Sequence, residues 1–224
     1  MTSSSGPWTC APTGPWATPP REAALQGGPL QEGNFGAGTG CTVGKIRGAK
    51  FAMKGGIGCC AYRQGNLMVG AVVACNAMGD VWDHGQIIAG ARNDENTGFA
   101  NSEEWLIAHV GAAAGCVQRE VRGQNTVIGC VVTNAALTKP QTAKLAAVAQ
   151  NGIARAVRPA NATFDGDSIV RRWPCGSVPA DPDAVGILAA RAVEEAICRG
   201  VRAAESLHGR PAIRDLPFGK DKNS

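Results

Sequence analysis

Two continuous apolar runs dominate the hydrophobic pattern of the chain. Leu67 to Cys75 (LMVGAVVAC) and Val127 to Thr133 (VIGCVVT) have strand length and are rich in valine, so each is predicted to be a strand buried on both faces. The first stops at Asn76-Ala-Met-Gly-Asp80, a turn signal. Helical periodicity follows the second. Thr138 and Gln141 make a capping box around Pro140, and Leu145, Val148, Ile153 and Ala156 repeat at helical spacing. A last long helix is predicted from about 183 to 207, with Val185, Leu188, Ala192, Ile197, Val201 and Ala204 on its inner face. Strands followed by amphipathic helices predict a layered α/β arrangement in which helices cover a sheet.

Residues 1–30 follow neither period. They hold six of the thirteen prolines and two tryptophans among Ser, Thr and Gly, and read as a poorly ordered arm ahead of a single domain over 31–224. Apolar residues make up 44% and charged residues 18% of the chain, enough for a packed core and against wholesale disorder. The formal charge of +4 is spread rather than clustered. Arg191, Glu194, Glu195, Arg199, Arg202 and Glu205 alternate in sign along one helix, a solvated face and not a phosphate-binding stripe, so nucleic acid is not an expected partner. No apolar run approaches the ~20 residues of a membrane span. The start, MTSSSGPWTCAPTGPW, has neither the basic nor the apolar region of a signal peptide.

The nine cysteines include no CxxC pair, and His84, His109 and His208 lie far apart, so no zinc spacing is present and no metal or cofactor is expected. Cys75, Cys116, Cys130 and Cys198 sit in apolar segments, as buried thiols of a reducing cytoplasm would. A nucleophilic cysteine paired with a distant histidine stays open at this point.

Four places can carry chemistry. In Gly123-Gln124-Asn125-Thr126-Val127-Ile128 a small polar turn runs straight into a strand. A hydroxyl at the first residue of that strand reaches the preceding carbonyl. If the Asn125–Thr126 bond breaks by an N-to-O acyl shift and hydrolysis, Thr126 gains a free α-amine of pKa about 8, which can take the proton from its own hydroxyl. The same residues also suit an ordinary turn. Phe164-Asp165-Gly166-Asp167-Ser168 offers two carboxylates that could orient an amine, or a plain turn; the full calcium-loop pattern is absent. GAGTGCTVGK (36–45) matches neither phosphate-binding glycine motif, and its glycines suit close backbone approach around a pocket with Lys45 at its end. Asn76, where the first strand stops, could donate its amide to an oxyanion or cap a turn.

The order and wording of these segments carry more than each one singly. GAGTGCTVGK, AMKGGIG, VVACNAMGDV, GQNTVIGCVVTNAALTK, ARAVRP and FDGDS, read in sequence, resemble the DmpA-type family of self-cleaving N-terminal nucleophile hydrolases over about residues 22–216. That family includes L-aminopeptidase/D-esterases, β-peptidyl aminopeptidases and the 6-aminohexanoate (nylon) oligomer endo-hydrolases. The resemblance implies an αββα sandwich, Thr126 as nucleophile and Asn125 as the residue before the scissile bond. It implies that Lys45 lies near the nucleophile, that Asn76 polarises the carbonyl, and that Asp165 and Asp167 hydrogen-bond the new α-amine. A threonine with a DGD pair resembles the nylon-oligomer branch more than the aminopeptidases. The implied substrate is a short oligoamide or peptide, and the implied assembly a homo-oligomer, dimer or tetramer.

Two departures from the family pattern stand out. Relatives carry a longer segment before the glycine-rich stretch, with strands of the central sheets and an active-site tyrosine, so the domain is expected to be N-terminally truncated. After FDGDS an apolar strand is usual, whereas IVRRWPCGSVPA puts charge and proline there. A catalytically inactive family member is therefore one alternative. An acyltransferase like the ornithine acetyltransferases, which share fold and threonine nucleophile, is another.

Overall fold

In the computed structural model the described residues are 28–110, 125–163, 165–171 and 176–218. The chain divides into two compact units, Met1–Gln31 and Glu32–Ser224, and the architecture below is that of the second. The expected arm lies outside the described residues up to position 27, as do Cys10, Cys116, Cys175, Gly123, Gln124 and Phe164.

A four-stranded sheet in the order β3-β4-β7-β9 is the centre of the fold, built from β3 (Gly56–Gln64), β4 (Leu67–Asn76), β7 (Thr126–Thr133) and β9 (Ser168–Arg171). The first three strands pair antiparallel, and β9 runs parallel to β7. Gln64 pairs with Leu67, so β3 and β4 turn through the two residues Gly65-Asn66, with Gly65 at φ +59°. Strand β3 has no counterpart among the sequence expectations, although its Gly-Asn turn flanked by β-rich residues is a hairpin signal. A small sheet, β1 (Thr42–Val43) with β2 (Met53–Lys54), precedes it. A third sheet orders β6-β5-β8, from β5 (Asp80–Asp83), β6 (Gln86–Ala89) and β8 (Val157–Arg158).

The helices are α1 (Ser102–Ala108), α2 (Lys139–Ala149), α3 (Asn151–Ala156) and α4 (Pro182–Ala203). Asp181 caps α4 by accepting from Asp183 N and Ala184 N, with Pro182 in the first turn. Helix α4 packs on β3 and β4 and against α2 and α3. Its approach to β3 is very close: a Cβ on Gly58 would lie 2.0 Å from the Ala196 carbonyl oxygen, and one on Gly200 2.9 Å from Gly58 N. Glycine at both positions is what lets helix and strand backbones meet. The core between them holds Val69, Ala71, Val73, Val127 and Val131 from the sheet and Val185, Val193, Ile197 and Val201 from α4.

The α/β class and the capping box of Thr138 with Gln141 are as expected. Four expectations need correction. The two apolar runs are not buried on both faces. Helices cover one face, while on the other Met68, Ile128, Val132 and Val170 remain 51%, 54%, 46% and 53% exposed, because among the described residues no second layer lies there. The helix after Thr138 is broken at Gln150 into α2 and α3. The last helix ends at Ala203, where Ala204 turns extended. The segment after Asp167 does form a strand over Ser168–Arg171, because the β-branched Ile169 and Val170 pair along β7 before the charge and proline begin. The alternating charges of α4 are also more than a solvated face: Arg199 pairs with Glu32 at 3.1 Å and Arg202 with Asp83 at 2.6 Å.

Candidate active site

Thr126 is the first residue of β7, and its ladder partner is Asn76, the last residue of β4. Both line a cleft of about 410 Å³ on the open face of the main sheet. Ala37, Gly40 and Cys41 of the glycine-rich segment form one wall, and Ile57, Val72, Ile128, Cys130 and Val170 of the sheet form the floor. Among the described residues Asn76 and Thr126 are the only side chains lining it that carry nitrogen or oxygen.

The Asn125–Thr126 junction is held from three directions. Asn125 is 1% exposed and bridges in parallel to Asp165. Its carbonyl oxygen accepts the Gly166 N–H at 3.0 Å and the Thr126 Oγ1 hydroxyl. A Cβ on Gly166 would lie 3.0 Å from Thr126 Oγ1, a crowded contact that glycine in the middle of Asp-Gly-Asp avoids. One residue on, Asp167 Oδ1 accepts Val127 N at 2.8 Å and its Oδ2 accepts Asn161 N at 3.1 Å, tying the start of β7 to the loop after β8.

Asp165 has a different environment from Asp167. Its Oδ2 accepts Ala162 N at 3.1 Å, and its buried Oδ1 makes no hydrogen bond of ordinary length among the described residues. Burial, reinforced by the charge of Asp167, pushes its carboxyl up to about 6; the N–H groups of Ala162 and Met78 and the Lys45 ammonium oppose that rise.

Lys45 is 6% exposed and sits behind Asn76. Its Nζ donates to Asn76 Oδ1 at 2.8 Å and to the Asn76 carbonyl oxygen at 2.9 Å. Burial holds its ammonium down to about 8, against the pull of Cys41, Cys75, Asp165 and Asp167. Thr42, 7% exposed on β1, also donates to Asn76 Oδ1, from its N–H at 3.0 Å and its hydroxyl at 3.3 Å.

The fold therefore gathers Lys45, Asn76, Asn125, Thr126, Asp165 and Asp167 around one end of β7. Two participants escape a reading of the sequence. Thr42 reaches Asn76 only through tertiary contact. Lys54, 2% exposed, donates to the carbonyls of Gly38, Cys41 and Gly55 at 2.8, 2.9 and 3.0 Å, and so pins the glycine-rich wall of the cleft. A lysine followed by two glycines inside an apolar stretch was its only signal. Burial holds Lys54, too, down to about 8. Among the described residues no histidine lines the cleft beside Cys41 and Cys130, and burial pushes the Cys41 thiol up to about 11, away from the reactive thiolate.

Sequence comparison gives the class to which this fold and site belong. The profile of Peptidase family S58 matches residues 12–214, and the chain belongs to that family. An uncharacterized aminopeptidase of Mycobacterium tuberculosis is 30% identical over 230 residues, which span 94% of this chain and 63% of that protein. One of Mycobacterium leprae is 29% identical, with 93% and 60% covered. The chain thus spans somewhat under two thirds of the length of these relatives. Among solved structures, a β-aminopeptidase of Burkholderia sp. superposes with a TM-score of 0.52 at 24% identity, over 83% of this chain and 50% of that one. The L-aminopeptidase D-Ala-esterase/amidase of Ochrobactrum anthropi, described as a variant of the Ntn hydrolase fold, gives 0.51 at 24% identity, over 82% and 48%. No helix among the described residues is long and apolar enough to cross a membrane.

Proposed function

We propose that the chain is a self-processing amide hydrolase whose nucleophile is Thr126, released by cleavage of the Asn125–Thr126 bond. The observation that carries this reading is the contact of Thr126 Oγ1 with the Asn125 carbonyl, on an oxygen that also accepts the Gly166 N–H. Attack by Oγ1 on that carbonyl carbon forms an ester and breaks the C–N bond, and the hydroxyl proton passes to the departing nitrogen. Negative charge develops on the oxygen that Gly166 N–H already faces. Water then hydrolyses the ester, leaving an Asn125 carboxylate and a Thr126 α-amine beside Asp165 and Asp167.

In turnover the amine takes the Oγ1 proton as Oγ1 attacks a substrate amide and returns it to the leaving amine; water releases the acyl group. Asn76 donates to the substrate oxyanion. The apolar cleft lining suits an uncharged aliphatic or small acyl segment, so the substrates are short oligoamides, 6-aminohexanoate (nylon) oligomers or peptides, in line with the aminopeptidase and amidase names of the relatives. The six free thiols among the described residues suit a reducing cytoplasm.

Mass spectrometry of the purified chain tests the reading. Fragments 1–125 and 126–224 are expected from the parent, and an intact chain from Thr126→Ala. The same two fragments from the alanine variant would refute the mechanism. A parent that never cuts, and hydrolyses no amide, would favour the inactive alternative, for which the exposed face of the main sheet is the supporting observation.

A further inference from the structure

We infer that Thr42 is a positioning residue whose hydroxyl, beside its own N–H and Lys45, holds and polarises the Asn76 amide that serves the cleft. This rests on the role proposed above for Asn76. Three donors converge on one atom of that side chain: Thr42 N–H at 3.0 Å, Thr42 Oγ1 at 3.3 Å and Lys45 Nζ at 2.8 Å. A backbone N–H and an ammonium have no lone pair to offer, so the atom they face must be the oxygen. Rotating the amide by half a turn would set its NH2 group against both, in a place where Thr42 and Lys45 are nearly inaccessible to water that could relieve the clash. The nitrogen end is therefore held on the side away from this cluster, and Asn76 itself lines the cleft opposite Thr126.

The arrangement has a chemical consequence. An ammonium and two further donors on Oδ1 polarise the amide, which strengthens its N–H groups as donors towards a developing oxyanion. Thr42 can do this because of where β1 lies. Its partner across the two-stranded ladder is Lys54, whose ammonium holds the carbonyls of Gly38 and Cys41 just before Thr42. Lys45 reaches the same oxygen from three residues further on. The hydroxyl of Thr42 is thus a rigidly mounted donor that contacts neither the nucleophile nor the scissile bond, and it acts through Asn76.

The test compares parent, Thr42→Val, Thr42→Ser and Asn76→Asp. Valine keeps the shape and the backbone N–H but loses the hydroxyl; serine restores it. The expected result is kcat about tenfold lower in Thr42→Val, with KM and Tm close to the parent, and recovery to within about twofold in Thr42→Ser. Asn76→Asp still accepts from all three donors, so it should keep its Tm while losing at least about a hundredfold in kcat, because no N–H remains. Unchanged kcat in Thr42→Val, or a loss that serine does not rescue, would overturn the inference. A second readout does not need activity: the side-chain NH2 resonances of Asn76, assigned by their loss in Asn76→Asp, should shift in Thr42→Val and return in Thr42→Ser. If they stay in place in Thr42→Val the inference fails. A parent that hydrolyses no amide fails the proposed function and leaves this second readout to decide.

Discussion

Asn76, at the end of β4, stands directly across the ladder from Thr126, at the start of β7. One residue is the acceptor of an interior donor cluster and the other is the hydroxyl beside the junction, and only the antiparallel register puts them face to face. A slip of β7 by one residue would turn Thr126 to the helix-covered face and leave Asn76 without it.

The acidic pair should separate activity from stability. The carboxyl of Asp165 sits above its ordinary range, so its contribution to folding is fully present below the unfolded value and is lost as pH rises through about 6. At pH 7 the ionised group is therefore an unfavourable one. Asp165→Asn should melt no lower than the parent at that pH, yet cut itself and turn over amides at least about tenfold more slowly. Asp167→Asn should do both kinds of harm, since its two oxygens hold Val127 N and Asn161 N. Calorimetry beside fragment quantification checks both, and parent-like processing in Asp165→Asn would remove it from the site.

Amide turnover is expected to rise through about pH 6, as Asp165 ionises beside the Thr126 amine, and to fall off above about pH 8, as Lys45 loses the charge that polarises Asn76. The upper limb is not unfolding. Lys45 and Lys54 both sit below the free-lysine value, so above about 8 the unfolded chain holds the extra protons and a rise to pH 9 favours the fold. Turnover rates of the cleaved chain from pH 5 to 9, each with a melting curve, test this. A rate that keeps climbing past pH 8.5 would contradict the Lys45 role.

We propose that a second copy of this chain covers the outer end of the open face, making a homo-oligomer of two-fold or four-fold symmetry. Met68 and Val132 lie at that end, away from Thr126, and each is about half exposed. At roughly 25 cal/mol per Å², burying such apolar surface is the largest gain available to the face. A self-complementary apolar strip suits the isologous contact of a dimer. Sedimentation at micromolar concentration should give a dimer or tetramer, and Val132→Lys should dissociate it. A cooperatively folded monomeric parent would defeat this.

The sequence by itself determined the elements whose signals are local. The valine-rich runs gave β4 and β7 and Thr138 with Gln141 capped α2, because caps and strand periods depend on residues a few positions apart, whereas Asn125-Thr126 and Asp-Gly-Asp stood out only through the family resemblance. Other features depended on what packs against what. Nothing local tells Ile128 and Val132 that their face lies open, or Ser168–Arg171 that β7 will accept them as a parallel partner. Nor does any spacing reveal that Thr42 and Lys45 would meet on one oxygen of Asn76, or that Lys54 would be buried under three carbonyls. Apart from the Lys54 bond to its neighbour Gly55, those contacts join segments more than ten residues apart, and tertiary packing alone brings their donors and acceptors within hydrogen-bond reach.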